Sequence, residues 1–287
     1  MATRQSSYAL GHSEHELERL SRQAEVFAPF TRQLFEQAGI SSGMRILDVG
    51  CGAGDVAFLA AALVGPNGEV VGADHSAAAV EWAVARAQEQ GISNVKFLEG
   101  DPAVLEFEQQ FDAVVGRLVL MYYPDPVDAI GKLARHVRRG GLIIFQEFDM
   151  ENARSFPAAP IFDRAVGWMK QTLSATNTRI QLGLELHSVF LAAGLPGPKL
   201  RMDALIGGGS EFPCEILAAA IQSLLPVMEK LQIAPSAEVE VSTLAKRMSD
   251  EVIAGKGVVL SPALIGAWSR RPSYGQNHGK FMRRIKS

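Results

Sequence analysis

At 287 residues, with 47% hydrophobic and 21% charged side chains, the chain can bury a large core as one domain or as a core with an insert. A net charge of -3 gives no overall pull toward nucleic acid or an anionic membrane, so neither is expected as a partner. Two cysteines, Cys51 and Cys214, make neither a disulfide framework nor a metal spacing, and the histidines His12, His15, His136, His187 and His278 have no ligand spacing. The beginning, Met1-Ala-Thr-Arg-Gln-Ser-Ser-Tyr8, lacks the apolar run of a signal peptide. No apolar stretch is long enough to cross a bilayer, which makes the cytoplasm the expected location.

Ser13-Glu-His-Glu16 reads as a capping box that opens a helix with Leu17, Leu20, Ala24 and Phe27 on one stripe. Pro29 is expected to kink or end it, with Phe30, Leu34 and Phe35 on a continuation closed by Gly39. Ile46, Leu47 and Val49 then form a buried-strand run broken by Gly50, Gly52 and Gly54, and a helix follows over 55–64. Spaced glycines between strand and helix let backbone N–H groups approach a ligand that a Cβ would hold off. After the turn Gly65-Pro-Asn-Gly68, a second strand closes on Asp74. That acid lies about 20 residues past the glycines, where a carboxylate reaches a ribose diol. Asp55 stands where a dinucleotide fingerprint needs its third glycine, and a negative charge there disfavours a pyrophosphate while tolerating a cationic ligand.

Further strands are predicted at 95–99, 111–116 and 141–148, with helices at 76–90 and 126–138 and Gly91 and Gly140 as helix C′ residues. This alternation means a parallel sheet with helices on both faces, binding ligands at the carboxyl ends of its strands. From Glu151 the pattern loosens. Helices are expected over 158–175, 182–194, 213–231 and 236–249, strands at 198–206 and 263–268, and a hinge at Gly207-Gly-Gly209. Pro262 suits an edge position.

Leu47-Asp-Val-Gly-Cys-Gly-Ala-Gly54 resembles the first motif of class I S-adenosylmethionine-dependent methyltransferases. The likeness continues through Val71-Gly-Ala-Asp74, Phe97-Leu-Glu-Gly-Asp101 and Phe111-Asp-Ala-Val-Val-Gly-Arg117, covering about residues 40–150. It implies a Rossmann-like, mostly parallel seven-stranded α/β sheet ending in a hairpin, here 198–206 and 263–268. Three parts are expected: an N-terminal helical segment 1–40, a core of 41–209 with 256–287, and a helical lid insert 210–255. It implies S-adenosyl-L-methionine as cofactor, with Asp48 near its methionine end and the glycine turn Gly50, Cys51, Gly52 and Gly54 against it. Asp74 with His75 would take the sugar, and Asp101, between Gly100 and Pro102, the adenine amino group. Arg117 could contact cofactor or substrate, or be a surface charge. In such enzymes the N-terminal helices cover the cofactor end, which would bring Tyr8 or Arg22 to the methionine part.

The residues after the fourth strand, Gly116-Arg117-Leu118, lack the Asn/Asp-Pro-Pro-aromatic pattern of enzymes that methylate bases or amides. The expected acceptor is therefore a small molecule, aromatic or apolar, beside Met121, Tyr122 and Tyr123. Candidate catalytic groups are Tyr122, Glu147 at the mouth of the fifth strand with Asp149 nearby, and His187, although Glu147 could cap the next segment and His187 could be a plain helix-face residue. Rival readings are a lyase or pericyclase that only uses the bound sulfonium, a nicotinamide-linked oxidoreductase, and a non-catalytic partner subunit. In the last, the apolar face at 216–225 would dock a partner; in any reading the same face could support a homodimer.

Overall fold

The computed structural model describes residues 14–208 and 212–273, with side chains over 23–208 and 213–273. Tyr8, His12, Ser13, Gly209, His278, the basic run 280–286 and the side chains of His15 and Arg22 lie outside the described residues.

Helix α1 (Glu14–Ala38) runs through Pro29 without ending there. It spans both layers of the core: Phe27 joins the cluster on one sheet face, whereas Leu34, Phe35 and Ala38 join the cluster on the other. The chain then alternates: β1 (Arg45–Val49), α2 (Asp55–Val64), β2 (Glu69–Asp74), α3 (Ala77–Glu89), β3 (Val95–Glu99), β4 (Phe111–Arg117), α4 (Pro126–His136) and β5 (Val137–Asp149). Period-two alternation sends Leu47, Val49 and Val71 to one buried face and Ile46 and Val70 to the other, as a sheet covered on both sides requires. Capping is local. Ser76 Oγ accepts from Ala79 N at 3.3 Å, and Asp125 Oδ1 accepts from Val127 and Asp128 N at 2.9 and 3.1 Å.

Gly140 departs from its expected role. α4 passes straight into β5 at Val137, and Gly140, at φ 74°, sits inside the strand beside a register shift between Phe111 and Ala113. Gly91, at φ 65°, does follow the C-cap of α3.

Beyond β5 come β6 (Arg154–Phe156), α5 (Pro160–Ala175), α6 (Leu182–Ala192), β7 (Lys199–Asp203), β8 (Ile206–Gly207), α7 (Phe212–Lys230), α8 (Ser236–Val239), α9 (Val241–Ala254), β9 (Val258–Leu260) and β10 (Ala263–Arg270). The main sheet has seven strands in the order β3-β2-β1-β4-β5-β10-β7, with β10 antiparallel to both neighbours. Strand order reverses between β1 and β4, and a crevice opens there at the carboxyl ends.

Three further expectations need correction. The predicted strand 198–206 is two pieces: β7 edges the main sheet, and β8 joins β9 and β6 in a separate three-stranded sheet. Pro262 is not on an edge strand; with Ser261 it breaks the chain between β9 and the internal β10, where Ser261 and Leu205 exchange hydrogen bonds of 2.9 and 3.0 Å. The apolar face of α7 is also turned inward. Leu217, Ala218, Ile221, Leu224 and Met228 are buried in the core cluster, so this face is a packing surface rather than an exposed dock.

Candidate functional site

At the end of β1, Gly50, Gly52 and Gly54 all have positive φ, at 64°, 51° and 91°. A Cβ on Gly50 would overlap the Val119 side chain, so the turn can close only on glycine. A Cβ on Gly52 would meet no atom within 4 Å: the turn offers open space in front of its backbone. Gly54 instead backs against Phe58 and Phe97 as the N-cap of α2. Cys51 is buried, and burial holds its thiol well above the ordinary range, so it is no nucleophile.

Asp74 Oδ2 accepts from Gly52 N at 3.0 Å and its Oδ1 from Ser76 N at 2.9 Å, with His75 Nδ1 3.4 Å from Oδ1. The acid thus ties the glycine turn to β2, and each oxygen keeps acceptor capacity for a hydroxyl. At the next strand end, Asp101 Oδ1 accepts from Ala103 N at 2.9 Å and from the Tyr123 hydroxyl at 2.8 Å. Burial, then the neighbouring Asp101, pushes the Tyr123 phenol upward, so it stays protonated and donates.

Asp48 is buried, and neither side-chain oxygen makes a hydrogen bond of good geometry, with the Ala57 N–H as a weak neighbouring donor. Burial pushes its carboxyl up to about 8, opposed by the nearby Arg117 and reinforced by Asp74 and Asp55. Arg117 Nη1 donates to Thr31 Oγ1 at 3.1 Å, and Thr31 donates onward to Gln146 Oε1 at 2.8 Å, joining β4 and β5 to α1. Burial lowers the Arg117 pKa, while Asp55 and Asp48 raise it. Asp55 is in turn held by Arg86, at 2.9 Å.

Glu147 is fully buried. Its Oε1 accepts from Val119 N at 3.0 Å and Leu120 N at 2.8 Å, capping the 3-10 turn Leu120–Tyr122, and Oε2 has no partner. Desolvation, partly offset by these N–H donors, raises its carboxyl to about 8. Asp149 likewise caps the turn Met150–Asn152, accepting from Glu151 N at 3.3 Å.

These strand ends surround a cavity of about 690 Å³, within the range of small-ligand sites. Of the predicted site residues, Gly50, Cys51, Gly52, Asp74, His75, Asp101, Pro102, Arg117 and Tyr122 line it. Asp48, Gly54, Gly100 and Glu147 do not. The first is packed beneath the turn, Gly54 caps α2, Gly100 donates its N–H to the Asp74 carbonyl at 2.8 Å and abuts Leu105, and Glu147 lies behind the 3-10 turn. His187 is not brought to the cavity at all: it sits exposed on the outer side of α6. Among the described residues no cluster of His, Cys, Asp and Glu could hold a metal ion.

The sequence reading expected apolar walls from the insert 210–255, and α7 supplies Ala220 and Leu224; it missed the rest of that wall, Met150 after β5 and Met169 and Leu173 from α5. Apolar spacing marked these as helix-face residues, but only the fold decides which face meets a ligand. Leu118 carried a readable clue that passed unused, since it follows the strand directly. At φ 55° it holds a strained backbone in the cavity wall, fixed by its N–H donating to Gln146 O at 2.8 Å.

Comparison with known proteins bears on the same region. Residues 40–194 match a family described as a methyltransferase domain. Among curated relatives, aklanonic acid methyltransferase DauC of Streptomyces sp. strain C5 is 33% identical over 55% of this chain and 70% of its own length. Demethylmenaquinone methyltransferase of Lactococcus lactis is 34% identical over 45% of this chain and 50% of its own. Nocamycin O-methyltransferase of Saccharothrix syringae is 33% identical over 62% and 64%. The match to the latter two thus leaves more than a third of each uncovered. Among solved structures, the YcgJ protein of Bacillus subtilis superposes with a TM-score of 0.56 at 19% identity, covering 85% of this chain and 99% of that one. Phosphoethanolamine N-methyltransferase 2 of Haemonchus contortus, solved with S-adenosylhomocysteine, reaches 0.54 at 16% identity, over 85% and 53%. At such identities the structural likeness speaks for the fold.

Proposed function

Since this chain belongs to the class I S-adenosyl-L-methionine-dependent methyltransferases of small-molecule type, with S-adenosyl-L-methionine as methyl donor, we propose that its acceptor is a neutral molecule, mainly aromatic or apolar. One observation carries this reading. The charged cavity residues Asp55, Asp74, Asp101 and Arg117 belong to the β1, β2, β3 and β4 ends, whereas the wall from Phe148, Met150, Met169, Leu173, Ala220 and Leu224 has no charge. An ionic acceptor on that wall would lose hydration without a counter-charge. That one of the relatives is named for demethylmenaquinone supports the same reading.

The residues fit the donor. The open face of Gly52 would receive it closely, Asp74 would take the two ribose hydroxyls, and Asp101 would accept from the adenine amino group. Asp48, buried beneath the turn and outside the cavity lining, would hold the loop at the methionine end rather than touch the donor. When bound, the donor supplies a methyl carbon already attached to a good leaving group, a sulfonium. The protein's own work is then chiefly alignment and exclusion of water. Tyr122 and Met121 would orient the acceptor from the 3-10 turn, and that turn is held by Glu147. Neither Glu147 nor His187 lines the cavity, so both are withdrawn as proton acceptors. We assign residues 210–255 to a helical cover over the acceptor side, with the N-terminal segment 1–40 and the sheet core as the other two parts.

The test is incubation with methyl-labelled donor and a metabolite extract. Label should move into neutral, organic-extractable products. Label confined to charged, water-retained products would overturn the acceptor class.

A further inference from the structure

Beside the main cavity lies a second, smaller one of about 60 Å³, between α1, α5 and α7. Its own walls are Phe27, Phe162, Val166, Ile216, Leu217 and Pro262, and it shares Phe148, Met150, Met169 and Ala220 with the main cavity. The two spaces therefore adjoin across these shared side chains, with the slot behind the uncharged wall. Apart from Gln23 and Ser261, every lining residue is apolar. Ser261 offers nothing to a ligand, because its hydroxyl donates to Pro262 O at 2.9 Å and accepts from Leu205 N at 3.0 Å. Gln23 lines both spaces and so stands where they meet.

We infer that this slot is a specificity subsite that takes a short alkyl substituent of the acceptor, and that Val166 and Ile216 set the length it accepts. The inference rests on the apolar-acceptor reading above and adds a size to it. An apolar slot of this kind does not hold water well, so filling it with hydrocarbon is favourable. An isolated benzene-sized ring needs roughly 150 Å³, so the slot admits a short chain but not a second ring. The ring bearing the nucleophile stays in the larger cavity.

Binding of a graded series tests this: phenol and its 4-methyl, 4-ethyl, 4-propyl and 4-phenyl derivatives, by calorimetry on full-length protein saturated with S-adenosylhomocysteine. Affinity should rise about fourfold per added carbon through propyl and then fall for phenyl. Val166→Phe, and independently Ile216→Phe at a half-buried position that tolerates bulk more readily, should flatten the series while leaving phenol and S-adenosylhomocysteine binding unchanged. A flat series in the wild type, a 4-phenyl ligand bound more tightly than 4-propyl, or a gradient that survives both substitutions would each overturn the subsite, the slot then being a packing void only. If no member binds, the apolar-acceptor reading falls with it.

Discussion

Asp74 holds three things together through two oxygens: the glycine turn, the start of α3 and, by the proposed fit, the donor's sugar. Asp74→Ala should lower S-adenosylmethionine affinity at least about 100-fold, since hydrogen bonds to a charged group are worth about 1.5–3 kcal/mol each. Far-UV circular dichroism should stay native, because Ser76 still caps α3. Glu147 makes a different argument. Its Gln variant keeps an oxygen for the Val119 and Leu120 N–H groups, so turnover of Glu147→Gln should stay within about twofold of wild type. A catalytic base would lose roughly 10²–10⁴-fold. Stability should also separate the two proteins. The Glu147 carboxyl moves from 4.5 to about 8 on folding, so between those values the folded state holds more protons and wild-type stability falls as pH rises. Glu147→Gln lacks that proton. Its stability relative to wild type should climb across this window, by at most about 1.4 kcal/mol per pH unit, and level off above it; urea denaturation at several pH values measures this.

At the scale of elements, the β1–α2 turn separates folding from binding. Gly50→Ala forces both a left-handed backbone and an overlap with Val119, next to the turn that carries Met121 and Tyr122. It should lower the melting temperature by several degrees and weaken the donor more than tenfold. Gly52→Ala meets open space, so its fold cost is the backbone term of about 1–2 kcal/mol, yet it should weaken the donor comparably by occupying its place. Calorimetry and thermal melts on the pair check this. The turn was legible in the sequence because glycine, strand and acid spacing are local signals. The split between β7 and β8 was not, since Ala204 and Leu205 carry no turn residue, and what parts the strands is the bond to Ser261, far along the chain. α1 continues past Pro29 for a related reason: tertiary packing of α1 against both core clusters outweighs the one hydrogen bond that proline removes.

Across the whole molecule, the sheet collects four strand ends into a charged half, and the chain beyond β5 returns over it to complete an apolar half. The charged half was readable from motifs, residue by residue, down to Asp74 and Asp101. The apolar half was readable only as a cover from 210–255, because Met169 and Leu173 look in sequence like any buried helix positions. His187 shows the converse, a chemically able side chain that the fold turns outward. Co-crystallisation with S-adenosylhomocysteine tests the central claim most directly. The ribose hydroxyls should lie on the two oxygens of Asp74, with the sulfur facing the wall of Met169, Leu173 and Leu224. A nucleoside bound away from Asp74, or a sulfur directed toward the charged half, would contradict it.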